Sequence, residues 1–418
     1  MKQELRVSPN AAEVIRMLKE AGYESYIVGG AVRDLLLGRE PKDFDISTKA
    51  TPDEVRSVFG RRSCRLIGKR FRLAHVYLGG ELFEVSTFRR APHDGNEHNA
   101  DGEKNDALPE KLITSDNSFG TAVEDAWRRD FTVNALFYDP TDCRLIDHTG
   151  MGLADIERKV VRAIGNPAVR FEEDPVRMLR ALKLVGQYDF ALDDATENAF
   201  FASLPLIRYA APSRLSLELE KILKSTYGDR HIQAFHDYGL LPYFLPEFNA
   251  RWGTPLIRRA LDLLFERNCR VEEGRYRNSV SLAMAVLAVP FVEHTLGREP
   301  GSLWDNDRDS RQAIRGVLEN FMRPQTMMVR MRESAERILL LQPEFEEPSG
   351  RRGQLMQQRS YAHARELFLI RHAVACDQLG ELEHRWPAGV DRGKDSPGRK
   401  RGGRSHRGRG EKKHREKQ

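Results

Sequence analysis

A Gly29-Gly30 pair closing an apolar run, followed 13 residues later by Asp43-Phe44-Asp45, constrains this 418-residue chain more than any other feature. The run Tyr26-Ile27-Val28 reads as a buried strand, the two glycines as a turn, and Ala31 to Leu37 as the start of a helix. Two glycines let the backbone approach an anionic ligand closely, and the helix behind them offers unpaired N–H groups. Arg33 adds a fixed positive charge nearby. If Lys42 to Ile46 is a strand, its period of two puts Asp43 and Asp45 on one face and Phe44 on the other. Paired carboxylates beside a phosphate cradle suit Mg²⁺, which binds through one or two carboxylates plus substrate phosphates. Each element alone is a weak signal, since a D-x-D is usually a solvated strand end. Their order and spacing point to phosphoryl or nucleotidyl transfer.

Three other segments carry chemistry-bearing residues. Glu84 lies in the strand-like run Leu82-Phe-Glu-Val-Ser-Thr-Phe-Arg89 and is a candidate third acid beside Asp43 and Asp45. Arg128-Arg-Asp-Phe-Thr-Val-Asn134 sets two arginines and Asp130 before an apolar strand; the planar fork of arginine suits triphosphate oxygens. Asp130 can accept from a ribose hydroxyl, join the acidic cluster, or pair with an arginine at the strand entrance. Glu173-Asp-Pro-Val-Arg-Met-Leu-Arg180 opens a helix with Pro in its first turn. There Asp174, Arg177 and Arg180 recur at intervals of three and can share one face, where they can read a base edge without a template strand; Asp174 can equally be a simple cap.

Length implies two to four domains or subdomains. Mixed strands and short helices from Tyr26 to about Asp147 give way, after about Gly152, to helical periodicity alone. The expected architecture is α+β: an N-terminal α/β head (1–150), a helical neck (151–245), a helical body (246–390) and a basic tail (391–418). Residues 91–115 read as a long mobile loop, Phe131 to Tyr138 as a strand, and Pro343 to Gly353 as a linker between helices. Expected helices include Pro175–Gly186, Ser213–Lys224, Leu256–Phe265 and Ser279–Val289.

Charge divides unevenly. Residues 391–418 hold 12 Lys/Arg against 4 Asp/Glu, a net of +8, whereas the whole chain is +5 and residues 1–390 sum to −3. Arg399, Lys400, Arg401, Arg404, Arg407 and Arg409 sit among glycines with no apolar residue to bury, so the tail is expected to stay disordered and contact nucleic acid. Four scattered cysteines without a C-x-x-C pair, no apolar run of bilayer length and no secretory leader point to the cytoplasm.

Taken together, Gly29-Gly-Ala-Val-Arg-Asp34, Asp43-Phe-Asp45, Arg128 to Asn134, Asp147-His-Thr-Gly-Met-Gly152 and Glu173 to Arg180 resemble the class II family of tRNA nucleotidyltransferases and bacterial poly(A) polymerases, over roughly residues 24–245. The resemblance implies that Asp43 and Asp45 hold catalytic Mg²⁺ (or Mn²⁺), with Glu84 or Asp130 as the third acid. It implies Gly29, Gly30, Arg33, Arg128 and Asp130 at the nucleotide's phosphates and sugar, and Asp174, Arg177 and Arg180 at the base. Gly150 and Gly152 would form a hinge. Leu66 to Val76, Asp116 to Thr121 with Glu124 to Asp130, and the Arg-rich tail are similar to the poly(A) polymerase branch; Met151 and Lys69 depart from the commoner Gly and Arg. The leading expectation is template-independent addition of AMP from ATP to RNA 3′ ends by a two-metal in-line displacement. Its rivals are a CCA-adding enzyme and an inactive RNA-binding relative.

Overall fold

A computed structural model describes residues 2–68, 73–90, 119–346, 352–374 and 379–388. The expected mobile loop, Lys69, the first part of the Asp116 segment and all six tail residues from Arg399 to Arg409 lie outside the described residues.

The head is one seven-stranded sheet. Its strands are β1 (Ser25–Val28), β2 (Ile46–Thr48), β3 (Cys64–Ile67), β4 (Leu73–Leu78), β5 (Glu81–Thr87), β6 (Leu136–Asp139) and β7 (Arg144–Asp147), in the spatial order β3-β4-β5-β2-β1-β6-β7. All neighbours are antiparallel except β2 and β5, which run parallel with Ile46 opposite Val85. Helices α1 (Pro9–Glu20), α2 (Gly30–Leu36), α3 (Pro52–Ser63) and α4 (Ala122–Arg128) accompany the sheet. Helix α1 is capped by Ser8 and buries Ala11, Val14, Ile15 and Leu18, the 3.6-residue stripe visible in the sequence. Helix α3 carries a reciprocal capping box between Thr51 and Glu54, and α4 one between Thr121 and Glu124.

Two expectations are corrected here. Asp43-Phe44-Asp45 is not inside a strand: β2 begins at Ile46, and the acidic pair lies on its approach. Phe131 to Tyr138 is not one strand either. Thr132–Asn134 forms a 3₁₀ turn, and only then does β6 begin. The turn backs directly onto Gly152, where an added Cβ would meet the Thr132 carbonyl at 2.6 Å. That close approach is the physical need for glycine at this position.

Beyond the sheet the described residues are helical apart from a two-stranded ribbon, β8 (Val160–Val161) and β9 (Ala191–Leu192). Helix α5 (Gly152–Glu157) leads to α6 (Pro167–Glu173) and α7 (Val176–Tyr188), then α8 (Asp194–Ser203), α9 (Pro212–Lys224) and α10 (Gly228–Asp237). Within the body, the helix Val280–Thr295 is buried on nearly every side and packs against helices Pro255–Glu272, Arg308–Asn320 and Val329–Leu340. Pro255–Glu272 extends past the expected end at Phe265 because its last turns bury Arg267, Asn268 and Arg270 rather than apolar side chains. Arg270 is held by Glu366 and, at 3.0 Å, by Glu383. The expected linker contains a helical turn at Pro343–Glu346. Among the described residues no helix is long and apolar enough to cross a membrane.

Candidate active site

The site forms where β1 ends, β2 begins and β5 passes beside them. Gly29 follows β1 with φ 74° and ψ −131°, a left-handed conformation that favours glycine, and its N–H donates to the Leu136 carbonyl (3.2 Å). Val28 N–H donates to the carbonyl of Asp45 (3.0 Å), so the β1–β2 ladder continues past Ile46 and pins Asp45 beside the glycine turn. Because Ile46 pairs with Val85, Asp45 aligns with Glu84. Ile46 and Val85 point into the core, whereas Ser47 and Ser86 meet on the opposite face at 3.1 Å. Strand alternation places Asp45 and Glu84 on that same outer face.

Three carboxylates thus share a neighbourhood. Asp45 keeps access to solvent, yet loss of water around it, followed by the charges of Asp43 and Glu84, pushes its pKa up to about 6; Arg129 opposes this. Glu84 is 54% exposed, with His75 Nε2 3.6 Å away. Such an excess of negative charge suits a divalent cation. Among the described residues no three His, Cys, Asp or Glu side chains form a ready-made cage. The chemistry of Asp43 and Asp45 fits Mg²⁺, an ion that binds through one or two carboxylates with water and phosphates in its remaining positions.

The sign of the shift gives a measurable consequence. A carboxyl with its folded pKa raised above the unfolded value binds its proton more tightly when folded, so its contribution to stability declines as pH rises from about 4 through about 6. Mg²⁺ is expected to raise the unfolding midpoint at pH 7.5 and to lose that effect at pH 5, as read by thermal denaturation with and without the ion. An equal shift at both pH values would show that the ion binds elsewhere.

Of the two arginines before Asp130, only Arg128 was given a place at the nucleotide, yet Arg129 is the one that reaches the glycine turn. It ends α4 with an extended backbone, which sends its side chain across the sheet. Its Nη2 donates to Ser47 Oγ (3.2 Å) and Asp125 Oδ2 (2.8 Å), and a Cβ on Gly29 would lie 3.2 Å from Nη1. The available signal was the Asp125–Arg129 i,i+4 spacing. Asp125 is buried, which disfavours ionisation, but Arg129 and Arg128 outweigh this and hold it below the usual carboxylate range. Arg128 reaches Asp125 at 3.3 Å from the other side.

Asp130 takes the arginine-pair alternative, with partners from α7, and Arg33 stands elsewhere than expected. Both Asp130 oxygens are engaged by α7: Arg177 Nε donates to Oδ1 (2.9 Å) and Arg180 Nη1 to Oδ2 (2.6 Å). Burial disfavours the ionised form, but Arg180 and Arg177 prevail and hold its pKa low. Asp130 is thus a tie between head and helix α7, not an acid free to join Asp43 and Asp45. Arg33 is only 8% exposed and bonds internally to Asp34, Asn134 and Tyr188, so it lies behind the glycine turn rather than open above it.

The Asp174 group is a network. Asp174 accepts from Val176 N–H (3.2 Å), as a cap does, and from Arg214 Nη2 (2.7 Å), a partner from α9 that the sequence did not suggest. Arg177 also donates to Glu173 (2.7 Å), and Arg170 braces the loop through the carbonyls of Arg128 (2.6 Å) and Arg129 (2.8 Å). Arg180, 36% exposed, is the most open of the Asp130–Arg177–Arg180 trio. Gly150 adopts φ 73° in a turn organised by Asp147, which accepts from Thr149 and Gly150 N–H groups.

Comparison with known proteins agrees with this geometry. Residues 25–162 match the family described as Poly A polymerase head domain, and residues 189–251 the one described as Probable RNA and SrmB-binding site of polymerase A. Poly(A) polymerase I of Salmonella typhimurium is 35% identical over 389 residues, covering 91% of this chain and 82% of that protein. A CCA-adding enzyme of a Geobacillus species is 37% identical over 233 residues, 56% of this chain and 54% of its own length. Among solved structures, the Bacillus stearothermophilus CCA-adding enzyme in complex with CTP aligns with a TM-score of 0.60 at 25% identity, covering 91% of this chain and 82% of that one. The paired aspartates, the glycine turn and these matches lead to one conclusion: the chain is a nucleotidyltransferase of the poly(A) polymerase family.

Proposed function

We propose that the enzyme adds AMP from ATP to RNA 3′ ends without a template and releases pyrophosphate. The observation that carries this reading is the clustering of Asp43, Asp45 and Glu84 beside the Gly29–Gly30 turn, in a chain similar to poly(A) polymerase I over 91% of its length. Similarity to CCA-adding enzymes covers 56% of the chain for the Geobacillus relative in sequence and 91% for the Bacillus stearothermophilus enzyme in structure, which keeps CCA addition as the second reading.

In this reading the RNA 3′ oxygen forms a bond to the α-phosphorus while the bond to the bridging oxygen breaks, and the hydroxyl proton passes to solvent. Asp43 and Asp45 hold Mg²⁺, which when bound would offset charge on the attacking and departing oxygens. The Gly29–Gly30 backbone lies along the phosphates, with Arg129 and Arg128 supplying positive charge, and Glu84 strengthens the acidic field. Asp174, Arg177 and Arg180 face the adenine edge, held in position by Asp130 and Arg214. Catalysis then comes from positioning and preset charge. The Arg/Lys-rich tail from Arg399 to Arg409 tracks the RNA backbone.

Incubating the full chain with Mg²⁺, a tailless RNA and one nucleotide at a time tests the reading. ATP alone is expected to give a long ladder and CTP almost none. Addition restricted to C, C and A on a truncated tRNA would falsify it in favour of the second reading.

A further inference from the structure

Tyr188 ends helix α7, but its hydroxyl belongs to the head. It donates to Asp34 Oδ1 (2.7 Å) and accepts from Arg33 Nη2 (2.5 Å) and Gln187 Nε2 (3.0 Å). One O–H and two lone pairs are all that a phenol offers, so this oxygen is fully used. The Arg33 guanidinium carbon stands 4.3 Å from the centre of the Tyr188 ring, and that of Arg39 stands 4.7 Å from it. Tyr188 is buried, as are Arg33 and most of Asp34. Burial raises the phenol's pKa, so its proton stays in place.

The chain of contacts runs on to the glycine turn. Arg33 Nη1 donates to Asn134 Oδ1 (2.5 Å), and a Cβ built on Gly30 would lie 3.4 Å from Arg33 Nη2. Gly30 therefore rests on a guanidinium whose plane is fixed by three partners: Asp34, Asn134 and Tyr188. The first two belong to the head. Tyr188 alone comes from α7, the helix that also carries Arg177 and Arg180.

We propose that Tyr188 is a positioning residue: its hydroxyl fixes Arg33 behind Gly30 and so sets how the Gly29–Gly30 turn meets the nucleotide's phosphates, in register with the base-facing arginines of the same helix. This rests on the function proposed above. Tyr188→Phe keeps the ring and its stacking on Arg33 and Arg39 and removes only the hydroxyl. Arg33 keeps Asp34 and Asn134 but loses the anchor that ties it to α7.

The test measures kcat, KM for ATP and KM for RNA on the full chain, with ATP binding in the absence of RNA and the unfolding midpoint. Wild type, Y188F, Arg33→Lys and the double variant are compared. The expected result for Y188F is a rise of about tenfold in both KM and Kd for ATP, the scale of a hydrogen bond to a charged group, with KM for RNA within about twofold. Because Tyr188 acts through Arg33, the double variant should be no worse than Arg33→Lys alone. Unchanged ATP parameters, additive losses, or a parallel loss of ATP binding, RNA binding and midpoint would each overturn the proposal. A wild-type enzyme that binds ATP but incorporates none overturns the functional reading instead, and the binding arm still decides the role of Tyr188.

Discussion

Asp45→Asn is expected to reduce nucleotide incorporation by about 10³-fold or more while raising the unfolding midpoint at pH 8. The two effects share one cause. Asp45 is ionised at pH 8 against the pull of its surroundings: loss of water around it, and then the like charges of Asp43 and Glu84, push its pKa up to about 6. Asn has nearly the same shape and no charge, so it removes both the cation site and the repulsion. The midpoint difference between variant and wild type should shrink as pH falls through about 6, where Asp45 becomes neutral on its own. RNA binding, measured by titration without nucleotide, should change little. Activity within tenfold of wild type, or a destabilised variant at pH 8, would refute the assignment of Asp45.

The second large effect is expected at Asp130, and it is of the opposite kind. Asp130→Ala leaves Arg177, buried at the junction of head and α7, with one fewer carboxylate, and breaking a buried pair costs about 3–5 kcal/mol. Arg180 is more open and adds less. Glu173 still holds Arg177, so the lower end of that range is the expectation. Asp130→Asn keeps an acceptor and should fall between. The folded pKa of Asp130 is depressed, so this contribution is fully present above about pH 4 and is lost only as pH falls through the folded value. Denaturant titrations at pH 5 and pH 8 should therefore show similar deficits. Incorporation should also drop, through displaced α7 arginines rather than lost cation binding. A variant as stable as wild type would mean that the tie is dispensable.

These two aspartates show where the sequence was readable. The glycine turn and the Asp43/Asp45 pair are local, a few residues whose spacing brings out the pair although it lies before β2 and not within it, and the helical stripes of α7 and α9 were legible for the same reason. For Asp130 an arginine pair was one of three readings, and spacing does not say which arginine supplies it. Its real partners lie 47 and 50 residues later on α7. Which of Arg128 and Arg129 reaches the glycine turn depends on which strand lies across from α4, a matter of sheet order rather than spacing. Tyr188 reads as one more apolar position at a helix end until Arg33 and Asp34 are seen beside it. Charged residues inside the body, such as Arg267 and Arg270, hid the end of their helix because burial there is satisfied by hydrogen bonds instead of by apolar contact.

The strand order has a consequence for synthesis. Strand β1 sits in mid-sheet, and its far neighbour β6 begins at Leu136, more than a hundred residues further along. Until a ribosome has delivered that segment, the row of amide and carbonyl groups on one flank of β1 has nothing to join, and the Gly29 amide lacks its Leu136 acceptor. The nascent chain must therefore carry Asp43 and Asp45, already made, on an unfinished and adhesive edge for several seconds at ordinary elongation rates.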